Sequence, residues 1–110
     1  QDEPAVLAGY EVSVQMWNAG LAGIPGVTAE RRYPSEAGQP HGRTIVTLDG
    51  SFPKTRDEVV SELWERNPRI AVSEIETNAF ALNPQTLETG EDRIVLEAVR
   101  EVLTSAAKGN

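Results

Sequence analysis

The stretch Pro68–Leu103, PRIAVSEIETNAFALNPQTLETGEDRIVLEAVREVL, decides how the rest of the chain is organised. Ile70 to Ile75 is rich in β-branched residues, which suit a pleated surface. Thr77-Asn78 reads as a two-residue turn into a second short strand. There Phe80 and Leu82 alternate with alanines, so one face of that strand is expected to be buried. Pro84 blocks further pairing because proline has no N–H to donate. Thr89-Gly90-Glu91-Asp92 reads as a helix start, with Thr89 as the cap and Asp92 near the positive end of the helix dipole. Ile94, Val95, Ala98, Val99, Val102 and Leu103 then recur at three- and four-residue steps, an apolar stripe on an amphipathic helix. Glu91, Arg93, Glu97, Arg100 and Glu101 fall on the wet side.

Working towards the N-terminus, Thr55-Arg56-Asp57-Glu58 is the clearest local signal. Threonine caps the free N–H groups and the glutamate three residues on reaches back, a capping box. Val59, Val60, Leu63 and Trp64 follow as the apolar face, and Asn67-Pro68 stops the helix. Before it, Val27–Tyr33 and Arg43–Asp49 read as strands joined through a turn-rich loop from Pro34 to Gly42. A hairpin is the natural pairing, since antiparallel neighbours need no crossover. The first segment is ambiguous. Leu7, Tyr10, Val14, Trp17 and Leu21 fall at helical steps, while Tyr10, Val12, Val14 and Met16 also alternate as a strand would. Its length and Pro4 near its start favour a helix, ended by Gly20, Gly23 and Pro25. Apolar residues on more than one of its faces indicate a core helix, or one that also packs on something outside this chain. The expected order is α-β-β-α-β-β-α, an α+β arrangement with about four antiparallel strands and helices on one face. Residues 1–110 form a single small domain, with residues 104–110 expected to fray.

Composition narrows the classes of function. A net charge of −7 argues against a nucleic-acid backbone or an anionic membrane as the main partner. No apolar run approaches a membrane span. With no cysteine there is neither a disulfide framework nor thiolate chemistry, which agrees with a cytoplasmic setting. The single histidine, His41, lies in a Pro- and Gly-rich loop and is read as exposed. One imidazole supports neither a multi-histidine metal site nor, in this setting, a Ser-His-Asp triad. The acidic pairs Asp57-Glu58 and Glu91-Asp92 are accounted for by capping and the helix dipole, and Arg31-Arg32 by a solvated strand. No phosphate-cradling glycine loop follows a strand.

The pattern Pro68-x-Ile70-x-Val72, a short strand, Leu82-Asn83-Pro84-x-Thr86-Leu87, Gly90-Glu91 and a terminal amphipathic helix resembles the C-terminal end of one family. That family is the selenocysteine-synthase-like group of fold-type I pyridoxal-phosphate enzymes. It includes L-seryl-tRNA(Sec) selenium transferase and D-glucosaminate-6-phosphate ammonia-lyase-like proteins. The resemblance extends back through Ile24-Pro25-Gly26-Val27 to the first helix. It implies a small C-terminal domain covering the active site of an upstream large domain of the same polypeptide, in a homo-oligomeric transferase or lyase. A chain opening on Gln1 agrees with a segment of a longer polypeptide. Pyridoxal phosphate would belong to the parent enzyme, since such a cofactor needs a lysine to hold it. Lys54, in a helix-entry loop, and Lys108, in the tail, do not resemble that lysine. Catalytic, cofactor and metal residues are therefore expected to be absent from this chain. An arginine for the substrate carboxylate often follows the Pro-x-apolar strand in this family; Ser73 stands there, and Arg69 is the nearest substitute. The alternative reading is an acidic ferredoxin-like binding module with no enzymatic role.

Overall fold

The computed structural model describes residues 4–33, 41–88 and 90–108. Three helices, α1 (Pro4–Gly20), α2 (Arg56–Trp64) and α3 (Glu91–Ala107), accompany four strands, β1 (Val27–Arg32), β2 (Arg43–Leu48), β3 (Ser73–Ile75) and β4 (Ala79–Leu82). The order is the expected α-β-β-α-β-β-α. All pairings are antiparallel and the spatial order is β1-β2-β4-β3. β2, α2 and β3 form a split β-α-β unit, with β4 lying between the two strands.

Register assigns the faces. Ala29, Val46 and Phe80 lie opposite one another across three strands, as do Val27 with Leu48 and Thr44 with Leu82. Val46, Leu48, Phe80 and Leu82 share one core with Val14 and Trp17 of α1, Val59 and Leu63 of α2, and Val95, Val99, Val102 and Leu103 of α3. The helices thus cover one face of the sheet. β4 departs from the expected alternation, because Ala79 and Ala81 are as buried as Phe80 and Leu82. On the face away from the helices the two alanines pack with Ile45 and Ile75. Their short side chains keep that face flat, and large neighbours on the adjoining strands cover them.

The ambiguous first segment is a helix, and its burial shows why. Val14 and Trp17 are fully buried, whereas Val12, which the alternating pattern would turn inward with Val14, is 63% exposed. Polar contacts fix the helix in place. Trp17 Nε1 donates to the carbonyl of Asp92 at 2.8 Å, and Ser13 Oγ donates to the Asp92 carboxylate at 2.6 Å. Buried Thr44 Oγ1 on β2 donates to Asn18 Oδ1 at 2.9 Å. The capping box on α2 forms as expected. Glu58 N donates to Thr55 Oγ1 and Thr55 N donates to Glu58 Oε1.

Several expectations are corrected. Tyr33 and Asp49 lie just outside the strands, and β3 is shorter than Ile70–Ile75 because residues 70–72 do not pair with β4. Thr89 lies outside the described residues; α3 begins after Gly90, whose φ of 87° suits glycine and which makes no side-chain cap. α3 continues through Ala107 with Ala106 buried. Ile94 and Trp64 are 46% and 50% exposed, outside the buried stripes of their helices.

His41 is fully buried, not exposed. Its Nδ1 sits 2.8 Å from the Gly42 carbonyl, its ring lies against Tyr10, and Nε2 has no hydrogen-bond partner among the described residues. Arg31 is exposed, as a solvated strand charge would be, but it is also paired. It makes a fork with Glu11 of α1, Nε–Oε1 at 2.8 Å and Nη2–Oε2 at 2.9 Å, and Gly42 N donates to the same carboxylate. A Cβ on residue 42 would come within 2.5 Å of the Arg31 side chain, so glycine there lets the arginine pass.

This contact predicts a pH dependence. The hydrogen bond from Arg31, aided by Gly42 N–H, lowers the Glu11 carboxyl from 4.5 to about 2. Because the folded value is below the unfolded one, the stabilisation is complete above pH 4.5 and is lost as pH falls through about 2. Arg31 is 44% exposed, so solvent screening reduces the contribution to about 1 kcal/mol. Urea midpoints measured from pH 6 to pH 2.5 should fall less steeply for Glu11→Gln than for the unaltered chain. Parallel profiles would refute the assignment.

Candidate functional site

The strand-to-strand and strand-to-helix connections at the β3 side of the sheet build a depression. After α2, the chain turns through a cis peptide at Asn67-Pro68, and Ile70 N donates back to the Leu63 carbonyl at 2.9 Å. Residues 69–72 therefore run as a rib before β3. On the other side β4 leads to Asn83, whose Oδ1 accepts from Gln85 N at 2.9 Å and starts a 3₁₀ turn at Pro84. α3 then closes the depression from below.

Two clefts flank the rib. The first, of about 240 Å³, is lined by Trp17, Val72, Ser73, Ala81, Leu82 and Asn83, with Ala71, Leu87 and Val95 as common walls. The second, of about 230 Å³, lies between Pro68–Ala71 and α3, and adds Arg69, Ile70, Glu91 and Ile94. Each is smaller than the ~300–1,000 Å³ of a self-contained ligand pocket. Each presents walls, not an enclosure.

Arg69, the expected substrate contact, and Ser73, at the place where the resemblance expects an arginine, come to this same depression but to different clefts. Ser73 lines the first and Arg69 the second. The Arg69 guanidinium lies over the Trp64 ring, 4.9 Å from its centroid. Arg31, Arg56 and Arg66, by contrast, each hold a carboxylate. Arg56 also donates through Nη1 to the carbonyls of Ile75, Glu76 and Ala79, tying the β3–β4 turn to α2.

Sequence reasoning missed Trp64 and Glu91 as site residues. Trp64 is one residue beyond the buried i, i+4 pair Val59 and Leu63, and that helical phase already turns it outward. Glu91 was absorbed by its place in the first turn of α3. Its Oε1 accepts from Glu88 N at 2.9 Å, while its side chain also lines the second cleft.

The residues present do not fit a pyridoxal-phosphate site. Lys54 lines an open cleft of about 390 Å³ between β2 and the start of α2, but its ammonium is ion-paired with Glu62. Lys108 caps the end of α3. Among the described residues no three His, Cys, Asp or Glu side chains are placed to hold a metal ion, and no helix is long and apolar enough to cross a membrane.

No protein-family model matches the chain, and no curated protein matches it significantly in sequence. Among solved structures the fold is shared with a D-glucosaminate-6-phosphate ammonia-lyase, at a TM-score of 0.73 and 22% identity. The match covers 94% of this chain and 31% of that one. The whole present fold therefore corresponds to less than a third of the lyase chain.

Proposed function

We propose that this chain is the small domain of a larger pyridoxal-phosphate-dependent enzyme of the selenocysteine-synthase-like group, a lyase or transferase acting on an amino acid or amino sugar. The observation that carries the reading is the shared fold with an ammonia-lyase over 94% of this chain but only 31% of the lyase. The cofactor and its lysine belong to a large domain in the same polypeptide. The domain described here covers that active site and is not catalytic alone. Two features support this division of labour. The clefts beside the rib are half-open walls. α1, whose only charge is Glu11, leaves Ala5, Ala8, Val12 and Ala19 exposed, an uncharged face suited to packing on another domain. Within this reading Arg69 is the group that meets an anionic part of the substrate, and the parent is a cytoplasmic homo-oligomer.

The test is the mass of the native protein in its source cells, by intact mass spectrometry, with its visible spectrum after purification. A chain several times longer that is yellow when pure is the expected result. A colourless native chain of this length would overturn the proposal and leave a non-enzymatic binding module, which the split β-α-β unit also accommodates.

A further inference from the structure

The second cleft carries two opposite charges on opposite walls. Arg69 lies on the rib and Glu91 in the first turn of α3, and Ile70, Ile94 and Val95 line the same cleft. The Arg69 guanidinium carbon lies over the Trp64 ring, 4.9 Å from its centroid, and its N–H donors make no hydrogen bond or ion pair among the described residues, so they can fork a carboxylate or phosphate. Glu91 uses Oε1 on a backbone N–H; its other oxygen is an acceptor for an ammonium or hydroxyl group. The walls between are apolar and suit methylene carbons.

We propose that this cleft binds a small amphiphile with an anionic group at one end and an ammonium or hydroxyl donor at the other. The anion sits on Arg69, the donor on Glu91 and the carbon chain on Ile70, Ile94 and Val95. Trp64 is a positioning residue that holds Arg69 over the mouth of the cleft. The proposal deepens the reading of Arg69 as an anion contact and rests on it, but it is tested without the parent enzyme.

The experiment is a titration of the ¹⁵N-labelled chain with 4-aminobutanoate and 6-aminohexanoate, followed by the Trp64 indole N–H and the backbone amides of Arg69, Glu91 and Ile94. Hexanoate and hexylamine, each lacking one of the two end groups, serve as controls. At least one zwitterion should move these four resonances together and bind more tightly than both controls. Arg69→Met should weaken it about tenfold, as loss of a charge-assisted hydrogen bond does. Glu91→Gln, which keeps the acceptor for Glu88 N–H, should weaken it about threefold, the size of an exposed ion pair. Trp64→Phe should retain most of the binding and Trp64→Ala should not. Equal binding of the controls, indifference to both charge substitutions, or no shift at all would overturn the proposal. A colourless native chain of this length together with these shifts would overturn the enzyme reading alone.

Discussion

Replacing Trp17 with alanine is expected to lower the unfolding free energy by about 3–5 kcal/mol, the range for deleting a buried aromatic side chain. Trp17 has no exposed surface and sits where α1 crosses α3. It also lines the first cleft. The substitution removes the largest side chain of the core and the N–H that donates to the Asp92 carbonyl. A domain of this size is stable by about 5–15 kcal/mol, so the variant lies near the edge of folding. Trp17→Phe separates the two losses. It keeps most of the apolar volume and gives up the hydrogen bond, so a cost of about 1–2 kcal/mol is expected. Urea unfolding followed by far-ultraviolet circular dichroism measures both without relying on indole emission, which half-exposed Trp64 would continue to supply. Equal costs for the two variants would show that packing of the indole contributes little.

Local signals were legible in the sequence wherever a few adjacent residues settle the matter. The Thr55–Glu58 capping box, the helical stripe from Val95 to Leu103 and the β3–β4 hairpin are set by spacings of two to four residues. The element order follows from them. Contacts between distant segments were not legible. His41 reads as exposed because Pro and Gly surround it, but Tyr10, thirty-one positions away, covers its ring. Arg31 reads as solvated because its neighbours in the chain are polar, and only the fold brings Glu11 to it. The site shows the same division. Arg69 was put forward through the resemblance, as the nearest arginine to the place that Ser73 takes, and the structure brings both to one depression. Its partner Trp64 was assigned to the apolar face beside Leu63, although the buried pair Val59 and Leu63 sets a helical phase that turns residue 64 outward. Glu91 was already explained by the helix dipole, so nothing drew it towards a cleft.

β4 supplies the second large effect. Phe80 and Ala81 are adjacent and equally buried, yet they belong to different layers. Phe80 faces the helices, opposite Val46 on β2 and Glu74 on β3, and is among the largest wholly buried side chains. Phe80→Ala should cost about 3–5 kcal/mol, because the cavity is bounded by a sheet on one side and helices on the other and cannot collapse freely. Ala81 faces away from the helices, opposite Ile45 and Ser73. Enlarging it to valine overpacks a flat layer, with an expected cost of about 1–3 kcal/mol. If that layer instead has room, Ala81→Val should be neutral, because valine suits a strand better than alanine does. The two substitutions are more informative together. Because they load opposite faces of one strand, their effects should add to within about 0.5 kcal/mol if β4 is held rigidly between β2 and β3. Urea unfolding of the two single variants and the double variant measures this directly. A coupling well above that value would mean that β4 shifts as a unit when either face is altered, and that burial on its helix-free side helps fix the strand against the core.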